Sequence, residues 1–198
     1  MGRRVAGAIL AGGTARRYGG EEKGLIRLKS GGTIVDRLVA EMRKAGLADM
    51  AICSDRPEPY QRLGLPVLPD RHKRRGPLGG IESALRHFTG PADGVLFLPC
   101  DMPAISREEI GRLKEAFLRS ENQVVVAGTG HFFVEPLCSV VHIDTREAVE
   151  KAMAEGRLRI RALWEELGAE IVRFEDDTRF VNINTPDEFE QFIGQGDK

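Results

Sequence analysis

The stretch VAGAILAGGTARRYGGEEKG, residues 5–24, passes from a short apolar run into a segment rich in glycine and basic side chains. The apolar run at 5–10 has the length and composition of a buried β-strand. After it, glycines allow backbone N–H groups to surround phosphate oxygens, and Arg16, Arg17 and Lys23 add positive charge. We interpret this segment as a phosphate-binding loop; a purely structural glycine turn is the alternative.

The loop matches neither of two widespread phosphate-binding motifs. It lacks the GxxxxGKS/T spacing of a P-loop and the GxGxxG spacing of a dinucleotide-binding fold. The absence of the GxGxxG spacing argues against a nicotinamide-dependent dehydrogenase.

Beyond the opening stretch, strand-like and helix-like patterns alternate along the chain. This alternation predicts a single α/β domain over 1–198, with a mostly parallel, mixed sheet and helices on both of its faces. Strands are predicted at 5–10, 50–53, 65–68, 94–98, 124–127, 137–143 and 171–174. Helices are predicted at 33–45, at 78–88, after Ser106 with Glu109 completing a capping box, from Thr145 as N-cap to Ala154, at 159–167 and from Pro186.

The expected place for function is one edge of this sheet. In sheets of this kind, ligands bind beyond the carboxyl ends of the strands, because the connecting loops converge there. We therefore expect the functional residues in the loops that follow Leu10, Cys53, Leu68 and Leu98.

Two aspartates stand at such positions. Asp101 lies between Pro99 and Pro103, directly after the predicted strand at 94–98. A carboxylate held there suits Mg²⁺, which usually takes one or two protein carboxylates together with phosphate oxygens; a turn or helix cap is the alternative. Asp70 ends the preceding strand in the same way.

Two further segments follow Asp70. The strongly basic run at 71–75 is interpreted mainly as a solvated loop. The segment GPLGG at 76–80 permits close backbone approach at the N-terminus of a helix, which is a natural place for an anion.

Composition narrows the class of protein. The chain has 198 residues with 29 basic and 30 acidic side chains. The resulting net charge of -1 argues against a nucleic-acid partner.

Cys53, Cys100 and Cys138 form no CxxC pair and are expected to be buried free thiols. The apolar run behind Arg3 and Arg4 is too short for a signal peptide or a membrane span, so we expect a soluble, cytoplasmic protein with no membrane partner.

Four segments carry a family resemblance: 10–13 with Arg17, Gly20 and Lys23, GPLGG at 76–80, CDMP at 100–103 and VNINTP at 181–186. Taken together, they resemble the molybdenum cofactor guanylyltransferase family, MobA, over nearly the whole chain. Two positions depart from the family pattern. Cys53 stands where similar proteins tend to place Asn or Ser as a nucleotide contact, and Glu135 stands where a neutral or basic polar residue is more usual.

The resemblance implies a Rossmann-like nucleotidyltransferase fold and Mg²⁺-dependent transfer of GMP from GTP to the terminal phosphate of molybdenum-bound molybdopterin. Proteins that deliver molybdopterin, and molybdoenzyme chaperones, are implied as partners. The implied catalytic residues are Arg17, Lys23 and Asp101, with Asp101 also holding Mg²⁺. The implied nucleotide contacts are Leu10, Ala11, Gly12, Gly13, Lys23, Asp70 and Asp101, and the implied pterin side comprises Gly76, Gly80, Asn182 and Asn184.

Several alternatives stay open. The nucleotide transferred could be CMP, or the acceptor could be a sugar phosphate or another small phosphate. A non-catalytic nucleotide-binding adaptor for molybdoenzyme maturation is the alternative from another class, and the presence of Lys23 and Asp101 argues against it. Ser54 or the backbone would replace Cys53 as a nucleotide contact, or base selectivity would be altered. The segment 181–186 could be a turn before the last helix, and 128–133 a mobile flap or a plain hairpin.

Overall fold

The computed structural model describes residues 2–12, 22–29, 31–130 and 133–183. These residues form one seven-stranded sheet with the strand order β3-β2-β1-β4-β6-β5-β7. The strands are β1 (Val5–Leu10), β2 (Met50–Cys53), β3 (Val67–Leu68), β4 (Gly94–Pro99), β5 (Val124–Thr129), β6 (Phe133–His142) and β7 (Glu170–Phe174). The α-helices are α1 (Ile34–Lys44), α2 (Pro77–Phe88), α3 (Arg107–Arg119), α4 (Arg146–Ala154) and α5 (Ile160–Glu166).

Strand β1 lies at the centre of the site-bearing half of the sheet. It pairs in parallel with β2 on one side and with β4 on the other. Strand β6 runs antiparallel to both of its neighbours, β4 and β5, whereas β7 is parallel to β5. The predicted mixed, mostly parallel sheet is confirmed.

Helices cover both faces of the sheet, as predicted. Side chains of α1 and α3 pack with Ile9 into one apolar cluster, and side chains of α2, α4 and α5 pack with Ala8 and Leu10 into the other. Because successive residues of β1 enter opposite clusters, the strand is apolar along its whole length. This burial explains the unbroken apolar run in the sequence.

One of the predicted helix N-caps is confirmed, and another is wrong. The capping box of Ser106 and Glu109 is present, with the Ser106 N–H donating to the Glu109 carboxylate at 2.9 Å. Thr145, in contrast, does not cap α4; its hydroxyl donates to the His142 carbonyl at 2.7 Å. A short 3₁₀ turn, Ile143–Thr145, leads directly into α4, so Thr145 already has helical geometry and cannot act as an N-cap. The helix predicted from Pro186 lies outside the described residues.

The three cysteines are buried and unpaired, as predicted. Burial raises the pKa of all three thiols, Cys53, Cys100 and Cys138. Among the described residues, no helix combines the length and apolar character needed to span a membrane.

Candidate active site

A cavity of about 600 Å³ lies at the carboxyl ends of the parallel strands β1 to β4. The loops that the sequence singled out after these strands therefore meet around one space, as expected for a parallel sheet. Its lining residues are Leu10, Ala11 and Gly12 after β1; Cys53, Ser54, Asp55 and Arg56 after β2; Asp70, Arg74, Gly76, Pro77 and Gly80 between β3 and α2; Pro99, Cys100 and Asp101 after β4; and Glu22, Lys23 and Leu137.

The cavity brings together most of the site residues that the sequence predicts. Asn182 is not among the lining residues, but the N–H of its neighbour Ile183 donates to the Asp101 carbonyl at 2.7 Å, so Asn182 lies beside the Asp101 turn. Gly13, Arg17 and Asn184 lie outside the described residues. The predicted residues that share the cavity are Leu10, Ala11, Gly12, Lys23, Asp70, Gly76, Gly80 and Asp101.

Lys23 and Asp101 form an ion pair at the cavity wall. The Lys23 Nζ lies 3.2 Å from Asp101 Oδ2, and the two side chains are 22% and 24% exposed. Asp101 reaches this position because the chain stays beside the end of β1 after β4 has ended. The Cys100 N–H donates to the Leu10 carbonyl at 3.2 Å and holds the two segments together. The pair supplies one cation and one anion to the same part of the cavity.

Asp70 lies against the first turn of α2. A Cβ at Gly79 would lie 2.7 Å from Asp70 Oδ2, so the glycine at this position lets the carboxylate pack directly on the helix backbone. Burial, followed by the negative charge of Asp55, raises the pKa of Asp70. The Asp55 carboxylate accepts the Asp70 backbone N–H at 3.0 Å and pairs with Lys73 at 2.6 Å. Asp70 is thus a preformed, partly desolvated acceptor at the cavity wall.

The loop after β2 clarifies the role of Cys53. The Cys53 thiol donates to the Gly80 carbonyl at 3.3 Å and therefore ties β2 to α2. The Ser54 hydroxyl is used within its own turn, donating to the Arg56 carbonyl at 3.3 Å and accepting the Arg56 N–H at 3.1 Å. The backbone at this point is also engaged: the Cys53 carbonyl accepts the Ala11 N–H at 2.9 Å, and the Ser54 N–H donates to the Leu68 carbonyl at 3.0 Å.

The family of the chain follows from comparison with known proteins. The family described as MobA-like NTP transferase domain matches residues 7–171. The chain belongs to this family. A relative named molybdenum cofactor guanylyltransferase from Vibrio atlanticus is 33% identical over 186 residues, which cover 93% of this chain and 93% of that protein.

Solved structures of other proteins share the fold. The crystal structure of molybdopterin-guanine dinucleotide biosynthesis protein A from Archaeoglobus fulgidus matches with a TM-score of 0.78 and 22% identity, over 96% of this chain and 97% of that one. A structure from Mycobacterium tuberculosis, solved as a complex with manganese, matches with a TM-score of 0.66 and 13% identity over 96% of this chain and 98% of that one. At these identities the likeness concerns the fold alone.

Four charged cavity residues of this nucleotidyltransferase, Glu22, Asp55, Arg56 and Arg74, were not predicted from the sequence. Arg74 belongs to the basic run interpreted mainly as solvated, and it is exposed like the three residues before it. Arg74 itself adopts a positive φ of 63° and lines the cavity. Glu22, which lies in the segment interpreted as a phosphate-binding loop but has no predicted role, is buried. A positive φ at a non-glycine residue leaves no signal in the sequence, so the path of Arg74 could not be predicted.

Glu135 lies on β6 near Asp101, although it is not among the cavity-lining residues. The antiparallel pairing of β4 with β6 ends at Phe97 and Ser139, four residues short of both carboxylates. Burial and then the charge of Asp101 raise the pKa of Glu135. The residue that departs from the family pattern thus stands beside the predicted metal-binding carboxylate.

Proposed function

We propose that the protein is a molybdenum cofactor guanylyltransferase. A terminal phosphate oxygen of molybdopterin attacks the α-phosphorus of GTP, a new P–O bond forms, the bond between the α-phosphorus and its bridging oxygen breaks, and pyrophosphate leaves with the electron pair. The product is molybdopterin guanine dinucleotide. The observation that carries the proposal is the convergence of Leu10–Gly12, Lys23, Asp70 and Asp101 on one cavity in a member of this family.

The residue roles follow from charge and position. Leu10, Ala11, Gly12 and Gly13 contact the nucleotide through their backbone, and Asp70 accepts hydrogen bonds from it. Lys23 and Arg17 offset negative charge on the phosphates and on the departing pyrophosphate. Gly76, Gly80, Asn182 and Asn184 lie on the pterin side.

The donor set around Asp101 fits a magnesium ion. Within the described residues no three His, Cys, Asp or Glu side chains come together as a metal-binding group. A single carboxylate is nevertheless enough, because Mg²⁺ commonly takes its other ligands from phosphate oxygens and water. When bound, Mg²⁺ neutralises phosphate charge. Asp101 would hold it, and Lys23 balances the carboxylate.

The chemistry requires little from the protein beyond alignment. The acceptor phosphate is already an anion, so no general base is needed to activate it. None of His72, His87 and His142, the histidines within the described residues, lines the cavity. A non-catalytic adaptor would have no need for the Lys23–Asp101 pair at the cavity wall.

The remaining parts of the proposal concern cellular context. The chain acts as one nucleotidyltransferase domain over residues 1–198 in the cytoplasm. It receives molybdopterin from a delivering protein and passes its product to molybdoenzyme chaperones. Guanylyl transfer itself is supported by the name of the Vibrio atlanticus relative, molybdenum cofactor guanylyltransferase.

Nucleotide-dependent thermal stabilisation tests the proposal. The melting temperature is measured in Mg²⁺ with GTP, CTP, ATP or UTP. At a hundredfold excess over Kd, a bound ligand stabilises the native state by about 2.7 kcal/mol, which corresponds to a rise of about 5–10 °C in a chain of this size. We expect that rise with GTP and a smaller rise with the others. A larger rise with CTP would indicate cytidylyl transfer instead of guanylyl transfer. No rise with any nucleotide would contradict the proposal.

A further inference from the structure

The carboxylate of Glu22 is buried beside the cavity in a closed polar cluster. Glu22 is 6% exposed, and its Oε2 accepts a hydrogen bond from the Tyr60 hydroxyl at 2.5 Å. Its Oε1 pairs with Arg56 Nε at 3.4 Å. Tyr60, on the 3₁₀ helix Glu58–Leu63, is 0% exposed. Burying a carboxylate is costly unless it is paired and hydrogen-bonded, so this cluster holds Glu22 in one place.

Glu22 directly precedes Lys23, and the residue after Lys23 is held just as firmly. Gly24 is buried, and a Cβ there would lie 2.5 Å from Val35 Cγ2 and 3.3 Å from Cys100 Cβ. The backbone between these two anchors forms a 3₁₀ turn, in which the Leu25 N–H donates to the Glu22 carbonyl at 2.9 Å. The backbone of Lys23 is therefore fixed from both sides.

We propose that the Tyr60–Glu22 hydrogen bond is a positioning device that aims Lys23 into the cavity. In this role both residues act through Lys23, which stands next to Asp101. The effect on catalysis rests on the proposed function, whereas the effect on the Lys23 side chain does not.

The hydroxyl is suited to this task. Burial and the Glu22 hydrogen bond raise the pKa of Tyr60, so the hydroxyl keeps its proton and donates at all physiological pH values. Tyr60→Phe removes this one donor and keeps the ring in the core. Of the contacts that the Glu22 carboxylate makes within the described residues, the longer one to Arg56 then remains. The segment that carries Lys23 gains freedom.

The first test is a double-mutant cycle on guanylyl transfer. Tyr60→Phe should lower kcat by about 10- to 100-fold, the range for residues that orient a reactive group, and leave KM for GTP little changed. In a Lys23→Ala background the same substitution should have almost no further effect, because its target is gone. Equal losses in both backgrounds would show a merely structural role and overturn the proposal. Glu22→Gln, which keeps an acceptor oxygen for Tyr60, should retain more activity than Glu22→Ala.

The second test needs no activity. The rate at which an amine-acylating reagent modifies Lys23 is measured by peptide mass spectrometry, with exposed Lys29 as internal reference. The matched control is Thr145→Val, which removes another buried hydroxyl hydrogen bond far along the chain. We expect faster Lys23 modification in Tyr60→Phe and no change in Thr145→Val. Unchanged Lys23 modification in Tyr60→Phe would overturn the positioning role, whether or not the wild-type protein transfers GMP.

Discussion

Lys23 Nζ and Asp101 Oδ2 lie 3.2 Å apart although 78 positions separate the two residues along the chain. The pair joins the segment after β1 to the end of β4, and these strands are neighbours in the sheet. The parallel pairing of β1 and β4 thus places a cation and an anion at the same part of the cavity, where we propose that the phosphates of the nucleotide and Mg²⁺ bind. In the proposed chemistry the Lys23 cation offsets negative charge on the phosphates, and the Asp101 carboxylate holds Mg²⁺.

Loss of the lysine should reduce turnover strongly. Lys23→Ala removes the cation that, in the proposed reaction, stabilises charge on the leaving pyrophosphate, so kcat should fall at least about 10²-fold, the scale for one charge-stabilising group. Steady-state kinetics and a melting curve measure this. Lys29→Ala, a change to an exposed lysine of the same segment, should behave as wild type. A loss of only a few-fold in Lys23→Ala would remove Lys23 from the catalytic set.

A methyl group at Gly79 should weaken nucleotide binding without unfolding the protein. The new Cβ would lie 2.7 Å from Asp70 Oδ2, so the Asp70 side chain must move away from its present position. We expect the Kd for GTP, measured by calorimetry, to rise at least about tenfold, comparable to the loss of one hydrogen bond to a charged group.

Gly111→Ala is the matched control for that experiment. Gly111 also lies inside a helix, α3, but a Cβ there meets nothing within 4 Å. This variant should bind GTP normally and gain up to about 1 kcal/mol of stability from helix propensity. Equal GTP affinity in Gly79→Ala and Gly111→Ala would mean that the position of Asp70 does not matter for the nucleotide.

The raised pKa of Asp70 predicts a pH-dependent effect on stability. Because the folded-state pKa is higher than the unfolded one, the carboxyl's contribution is fully present below the unfolded pKa, about 4, and is lost as the pH rises through the folded value. Asp70→Asn does not ionise. Its melting temperature, relative to wild type, should therefore rise as the pH increases above about 4.

Asp36→Asn should show the opposite slope. The hydrogen bond from Arg62 lowers the pKa of Asp36, so its stabilising contribution is present above the unfolded pKa and is lost as the pH falls. Melting curves of both variants across the same pH range measure the two slopes. A pH-independent difference between Asp70→Asn and wild type would contradict the burial of the Asp70 charge.

Local sequence patterns predict the elements that build the site. The segments 5–10 and 50–53 are short apolar runs followed by turn-forming residues, and β1 and β2 match them at both ends. Because all strands except β6 run in one direction, the loops after them had to meet at one edge. Asp70 and Asp101 could therefore be placed in one site from their positions after strands.

Contacts between distant segments could not be predicted in the same way. The Tyr60–Glu22 hydrogen bond joins residues 38 positions apart, and nothing in either local segment signals it. Strand β6 begins at Phe133, earlier than the apolar pattern indicates, because its pairing with β5 shifts register between Val126 and Ala127 and breaks the alternation of side chains. Such features depend on how the whole sheet packs.

Asp101, the proposed magnesium ligand, is the residue on which the proposed guanylyl transfer depends most directly. Asp101→Asn keeps the shape of the side chain and removes its charge, so the variant should fold as wild type and lose turnover. Asp49→Asn, at an exposed position, is the control and should retain activity.

The most direct measurement is product formation from molybdopterin and each of GTP, CTP, ATP and UTP in Mg²⁺, with chromatographic detection of the dinucleotide and separate assay of pyrophosphate. We predict molybdopterin guanine dinucleotide from GTP, one pyrophosphate released for each dinucleotide formed, and neither product from Asp101→Asn. A dinucleotide formed faster from CTP, or undiminished turnover in Asp101→Asn, would contradict the account.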